Sequence, residues 1–112
     1  IIWDYFTTIT FKFDINPKRN EMLMLQLQDP IQTNFPDSKM FWIMEHTSNG
    51  YQTHNHLLIR GDGVKEAVIA FFTSRNLVDP RFVKHIDYNP KLGAAYYVSK
   101  YIASEDISYG IY

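Results

Sequence analysis

The chain contains no cysteine in 112 residues. Disulfide frameworks and thiolate metal sites are therefore excluded, zinc fingers among them. It also lacks a long apolar run, and its hydrophobic stretches fall far short of the roughly 20 residues that a membrane-spanning helix needs. No GxxxxGK[ST] stretch occurs, so neither a phosphate-cradling loop nor a nucleotide-driven activity is expected. The first residues, Ile1-Ile2-Trp3-Asp4, lack the basic flank and cleavage site of a signal peptide. The expectation is a protein that acts inside a cell without membrane contact. A basic excess is missing too: the net charge is −1 and the pI about 6.4, whereas phosphate binding draws most of its affinity from Lys and Arg. The charge is unevenly spread, however. Arg81, Lys84, Lys91 and Lys100 face only Asp87 in the stretch from Arg81 to Tyr101, so a local positive surface for a nucleic-acid backbone is expected there.

The length predicts a single domain, 1–112, with one core. Tyr5, Thr7, Ile9, Phe11 and Phe13 alternate with Phe6, Thr8, Thr10 and Lys12, a half-buried strand ending near Asn16-Pro17. Lys18 to Leu27 reads as a helix, Asp29-Pro30 and Phe35-Pro36-Asp37 as loop punctuation, and Lys39 to Thr47 as an apolar strand. Ser48-Asn49-Gly50 supplies a turn before a third strand, so these two strands should pair as a hairpin. Gly61-Asp62-Gly63 closes it. Val64 to Arg75 carries a helical apolar stripe, Phe82 to Tyr88 reads as a strand, and Pro90 opens a helix that carries Tyr96, Tyr97 and Tyr101. Ile107, Tyr109 and Ile111 alternate in a tail. The order β-α-β-β-α-β-α-β predicts an α+β fold, an antiparallel sheet with helices packed mainly on one face. Met22, Met24, Phe41, Trp42, Phe71 and Phe72 are expected in the core, and His85 is assigned no role.

Two stretches carry chemistry. In Thr53-His54-Asn55-His56-Leu57-Leu58-Ile59 the two imidazoles share one strand face and can chelate one ion. Taken alone, such a pair reads more often as polar residues on an exposed sheet face. In Ala95-Tyr96-Tyr97-Val98-Ser99-Lys100-Tyr101 a helical spacing aligns Tyr97, Lys100 and Tyr101, while Ala95, Val98 and Ile102 mark a core-facing stripe. A catalytic divalent ion needs a further protein ligand. Glu45 and His46 on the preceding strand are the candidates. Alternation puts them on opposite faces, and the pairing register decides between them. One carboxylate with two imidazoles accommodates Mn²⁺ or Mg²⁺.

The histidine pair followed by a YxxK helix resembles the HUH endonucleases, which carry these two motifs in this order on a ferredoxin- or RRM-like sheet. With two tyrosines bracketing the lysine, Tyr97-Val98-Ser99-Lys100-Tyr101 looks most like the small replication initiators of viruses, phages and plasmids. The resemblance implies that Glu45 is the third metal ligand and that Tyr97, Tyr101 or both attack a phosphodiester. Lys100 would activate the phenol or neutralise the phosphorane. The product would be a 5′-phosphotyrosine and a free 3′-OH on single-stranded origin DNA. It also implies a host polymerase or helicase as partner and the host-cell cytoplasm as location. Asn55 departs from the family's pattern, because the middle position is ordinarily a bulky apolar residue. Its side chain should face the helix layer, where an amide needs hydrogen-bond partners. A single-tyrosine transposase is the alternative within this chemistry, and a non-catalytic RNA- or DNA-binding domain the alternative outside it. The tail from Asp106 to Tyr112 is expected to pair as an edge strand with a second copy, giving a homodimer.

Overall fold

A computed structural model describes residues 2–46, 52–102 and 108–112, with the backbone alone at His46, at 98–102 and at Ser108. Among these residues five strands, β1 (Tyr5–Phe11), β2 (Lys39–His46), β3 (Thr53–Arg60), β4 (Val78–Asp87) and β5 (Ser108–Ile111), form one sheet in the order β4-β1-β3-β2-β5. Every pairing is antiparallel. Three helices, α1 (Pro17–Asn34), α2 (Val64–Ser74) and α3 (Gly93–Ile102), complete the α+β fold expected from the sequence.

Strand alternation divides the sheet into two faces with different contents. On one, Ile9 and Phe11 of β1, Met40, Trp42 and Met44 of β2, and Leu57 and Ile59 of β3 pack against α1 and α2. The helices contribute Leu23, Met24, Leu27 and Ile31, and Val64, Val68, Phe71 and Phe72. On the other face a smaller cluster joins Trp3, Phe6 and Leu58 to Tyr97 of α3. Two helices thus cover one face, and α3 caps one end of the opposite face. Among the described residues no helix is long and apolar enough to cross a membrane.

Several boundaries depart from the sequence reading. Asn16 caps α1, its side-chain oxygen accepting from Arg19 N at 2.8 Å, and Pro17 takes the first turn. The helix then runs through Asp29-Pro30 to Asn34 rather than stopping at Leu27. Pro30 removes one backbone donor, yet it lies on the exposed side while Ile31 extends the buried stripe of Leu23, Met24 and Leu27. Burial of Ile31 decides the outcome. Strand β4 begins at Val78 and takes in Pro80, because it is an edge strand and its register with β1 shifts between Ile9 and Phe11, where proline is tolerated. Pro90 sits in a turn ahead of α3 instead of in its first turn. Met22, expected in the core, is exposed on the outer side of α1.

The tail forms an edge strand of the sheet. β5 pairs with β2 of its own chain, Phe41 opposite Ile111 and Ile43 opposite Tyr109. A glycine is required within it, since a Cβ on Gly110 would overlap the Trp42 indole. Asp106 and Ile107, the Ser48-Asn49-Gly50 turn and Tyr51 lie outside the described residues. β2 and β3 nevertheless pair antiparallel as neighbours, as the hairpin reading expects.

One polar pair lies inside the apolar layer. Asn20 of α1 and Asn55 of β3, both fully buried, exchange amide bonds: Asn20 Nδ2 donates to Asn55 Oδ1 at 2.9 Å, and Asn55 Nδ2 donates to Asn20 Oδ1 at 2.7 Å. Replacing one member strands the other's amide without a partner, which costs about 1–3 kcal/mol. Asn20→Leu should therefore lower the urea midpoint, and Asn20→Leu with Asn55→Leu should recover most of the loss. A double variant as unstable as the sum of the two singles would show that the pair is not coupled in this way.

Candidate metal and tyrosine site

The face opposite α1 and α2 carries the candidate residues. In β3 the alternation that sends Thr53, Asn55 and Leu57 toward the helices sends His54 and His56 the other way. The β2–β3 register sets Glu45 directly opposite His54 and His46 opposite Thr53. Directly opposed residues share a face, so Glu45 accompanies the histidine pair, while the register pairs His46 with Thr53. Glu45 Oε1 lies 3.7 Å from His56 Nε2. The two imidazole rings lie 6.4 Å apart and nearly parallel, 18° between planes.

Both rings are held from behind by β1. Thr8 stands opposite His56 and Thr10 opposite His54. The Thr8 hydroxyl is 3.0 Å from His56 Nδ1, and the Thr10 hydroxyl 2.9 Å from His54 Nδ1. With Nδ1 engaged in each ring, Nε2 is the nitrogen that would meet a ligand. Imidazole and carboxylate are donor types that divalent cations take. The three side chains do not form a closed cage: among the described residues no group of three or more His, Asp or Glu is arranged to hold an ion.

His56 is a buried imidazole. Its pKa falls from 6.5 to about 4, first because burial penalises the charged ring and second because His54 stands beside it. The approach of Glu45 is thus that of a carboxylate to a neutral ring at neutral pH, and 3.7 Å is longer than a hydrogen bond. A neutral imidazole is the form that binds metal.

The tyrosine helix joins this face through rings. Tyr97, 5% exposed, packs on Phe6 with centroids 5.1 Å apart, and Phe6 stacks on His56 at 5.7 Å with 3° between planes. Tyr88 closes the other side of Tyr97 at 5.2 Å. The Tyr97 hydroxyl oxygen accepts from Asn89 N at 2.9 Å, which fixes it at the turn before α3. Of the expected stripe of Ala95, Val98 and Ile102, Ala95 is exposed and the side chains of the other two lie outside the described residues, while Tyr97 is buried. Tyr96 lies on the outer side of the helix. Lys100 and Tyr101 belong to α3, with their side chains outside the described residues. Trp3 is buried in the same small core.

The three proposed phosphate contacts differ in kind. Lys84 lies opposite Thr8 in β4, so it belongs to the histidine face and continues the row His56, Thr8, Lys84 across three strands. Arg81 is already engaged: its guanidinium meets Asp79 at 2.6 Å and holds that carboxyl down to about 2. Lys91 lies in the turn tied to Asn89, where its own N–H donates to Asn89 Oδ1 at 3.0 Å. Among the described residues, two clefts of about 340 and 300 Å³ are lined by Asp4, Asp62, Glu66 and Asp87 and by Phe13, Asp14, Asn16 and Arg19. Neither takes in a histidine.

Sequence reasoning missed Thr8, Thr10, Phe6 and Asn89. The alternation of β1 already set Phe6, Thr8 and Thr10 on one face, but only the strand order places that face beside His54 and His56. Comparison with family models, with curated proteins and with solved structures finds no match for the chain.

The depressed pKa of His56 has a measurable consequence. The unfolded chain protonates this ring near 6.5 and the folded protein only near 4. Its contribution to stability is complete above pH 6.5 and is lost as the pH falls from there toward 4. NMR titration of the imidazole C–H signals in metal-free protein should show His56 still neutral at pH 5. A midpoint near 6.5 would contradict the burial argument.

Proposed function

We propose that this domain is an HUH-type replication initiator, a metal-dependent nickase and strand transferase acting on single-stranded DNA. The observation that carries this reading is the gathering of Glu45, His54 and His56 on one sheet face, one ring away from Tyr97. Glu45, His54 and His56 would hold a Mn²⁺ or Mg²⁺ ion, whose chemistry is Lewis-acid polarisation of the scissile phosphate. Tyr97 supplies the nucleophilic oxygen, held in place by Asn89 N–H and the flanking rings. Its attack on phosphorus forms the 5′-phosphotyrosine and expels the 3′ oxygen as a free hydroxyl. Lys100, one turn beyond Tyr97, stands at the helical spacing from which a cation neutralises developing charge. Lys84 and Lys91 are assigned to the DNA backbone, with Arg81 a weaker contributor because Asp79 competes for it. An origin strand and a host polymerase or helicase are the partners, in the cytoplasm of a host cell. Joined through the outer edge of β5, two copies would form a homodimer.

A second reading draws on Tyr109, Ile111 and Ile86, which lie exposed on this face and suit a non-catalytic single-strand binder that stacks bases. A single-tyrosine transposase is the remaining alternative within the same chemistry. Incubation with labelled single-stranded oligonucleotides and Mn²⁺ followed by a denaturing gel separates catalysis from binding. The expected result is a covalent protein–DNA band that chelator removes. Tight binding with no band under any metal would favour the second reading.

Tyr97→Phe should eliminate the band. It should also cost about 0.5–1.5 kcal/mol, since the Asn89 N–H loses its acceptor. Retention of some adduct would bring in Tyr101 as a second nucleophile, and loss only with Tyr101→Phe would make Tyr101 the sole one.

His54→Ala should abolish cleavage with the fold intact. His56→Ala is the poorer test, because it removes a buried ring stacked on Phe6. Glu45→Ala should weaken Mn²⁺ binding more than His46→Ala, and the reverse ranking in a metal titration would move the third ligand to His46.

A further inference from the structure

Each of the three histidines whose side chain is described meets a threonine hydroxyl of β1 through Nδ1. The pairs are Thr7 with His85 at 2.7 Å, Thr8 with His56 at 3.0 Å and Thr10 with His54 at 2.9 Å. All three are direct cross-strand partners, in β4 or β3. An imidazole binds an ion through an unprotonated nitrogen, and the identity of that nitrogen is set by the hydrogen bond the other one makes. A hydroxyl beside Nδ1 can accept from Nδ1–H, leaving a lone pair on Nε2, or donate to Nδ1, leaving a proton on Nε2 that blocks ligation. Only the first arrangement serves a cation on the Glu45 side.

We propose that Thr8 and Thr10 are positioning residues that accept from His56 Nδ1–H and His54 Nδ1–H, fixing both rings as the tautomer that presents a bare Nε2 to a divalent cation. This rests on the metal reading of the face given above and assigns the part of β1 in it. The threonines touch neither ion nor substrate. They act through the rings. A β-branched residue on a strand has few rotamers, so each hydroxyl is held at a fixed height above the sheet and the imidazole plane is fixed with it. Thr7 and His85 make the same pair on the opposite face, beside Tyr5 and away from Glu45, and provide an internal control.

The test uses the whole domain labelled with ¹⁵N-histidine. Long-range ¹H–¹⁵N correlation in metal-free protein at neutral pH reads the tautomer of each ring, and titration with Mn²⁺ alone reads affinity. Wild type should show Nδ1–H at His54 and His56. Thr8→Val and Thr10→Val keep the shape and delete the acceptor, and each should mix the tautomers of its own histidine and weaken Mn²⁺ binding about 10–100-fold. Thr→Ser at either position should restore both readouts. Thr7→Val should alter His85 only and leave Mn²⁺ affinity unchanged. A wild-type protein with Nε2–H rings, or valine variants unchanged in tautomer and affinity, would overturn the proposal while leaving the metal site standing. Wild type that takes up no Mn²⁺ would overturn the metal reading itself and, with it, the purpose assigned to the threonines.

Discussion

The register of β3 is the constraint on which the rest depends. Side chains alternate across a sheet, so a slip of one residue would carry His54 and His56 into the helix layer and bring Asn55 and Leu57 out. Apolar burial on one side resists such a slip, and polar contacts specify it further. Asn55 exchanges two amide bonds with Asn20, while the Thr53 hydroxyl accepts from Ile15 N at 2.8 Å and lies within bonding distance of Asp14. A shift of β3 by one position would break all of these contacts together. The polar residue in the middle of the histidine pair is thus part of what points the histidines outward. Its cost is offset by a matching amide in α1.

The two faces divide the work. The helix face holds nearly all the large apolar side chains and fixes the sheet. Among the described residues the other face has a small core at one end, with the buried His56 beside it. That small core still connects the parts: Tyr88, Tyr97, Phe6, His56 and His54 form a continuous series of ring contacts running from the α3 turn to the candidate ligands. A change at Phe6 would disturb both the tyrosine and the imidazole, which couples two motifs that lie about forty residues apart in the chain.

Period and punctuation made the element order legible, because alternation in β1 and the stripe in α2 are local properties. The ends of α1 and β4 were not legible, since Pro30 and Pro80 act as breakers only where their missing N–H is needed. Pro30 lies on the exposed side of a helix anchored further on by Ile31, and Pro80 lies on an edge strand beside a register shift. For the site, His54 and His56 could be read as one face from alternation alone, whereas the choice between Glu45 and His46 depended on the β2–β3 register. Thr8 and Thr10 could not, because nothing local shows that β1 lies between β3 and β4. The buried state of Tyr97 was missed for a related reason: the helical spacing shows which residues share a stripe, while the sheet decides which stripe is covered.

Placing imidazoles beside a small apolar core also sets the charge state of the site. Burial and the neighbouring His54 keep His56 neutral through the physiological range, so the carboxylate of Glu45 is not neutralised by a protonated ring. The ring that Glu45 approaches at 3.7 Å is thus uncharged there, and Lys84, two strands from His56 along the same row, is a cation that the strand pairing places on the same face.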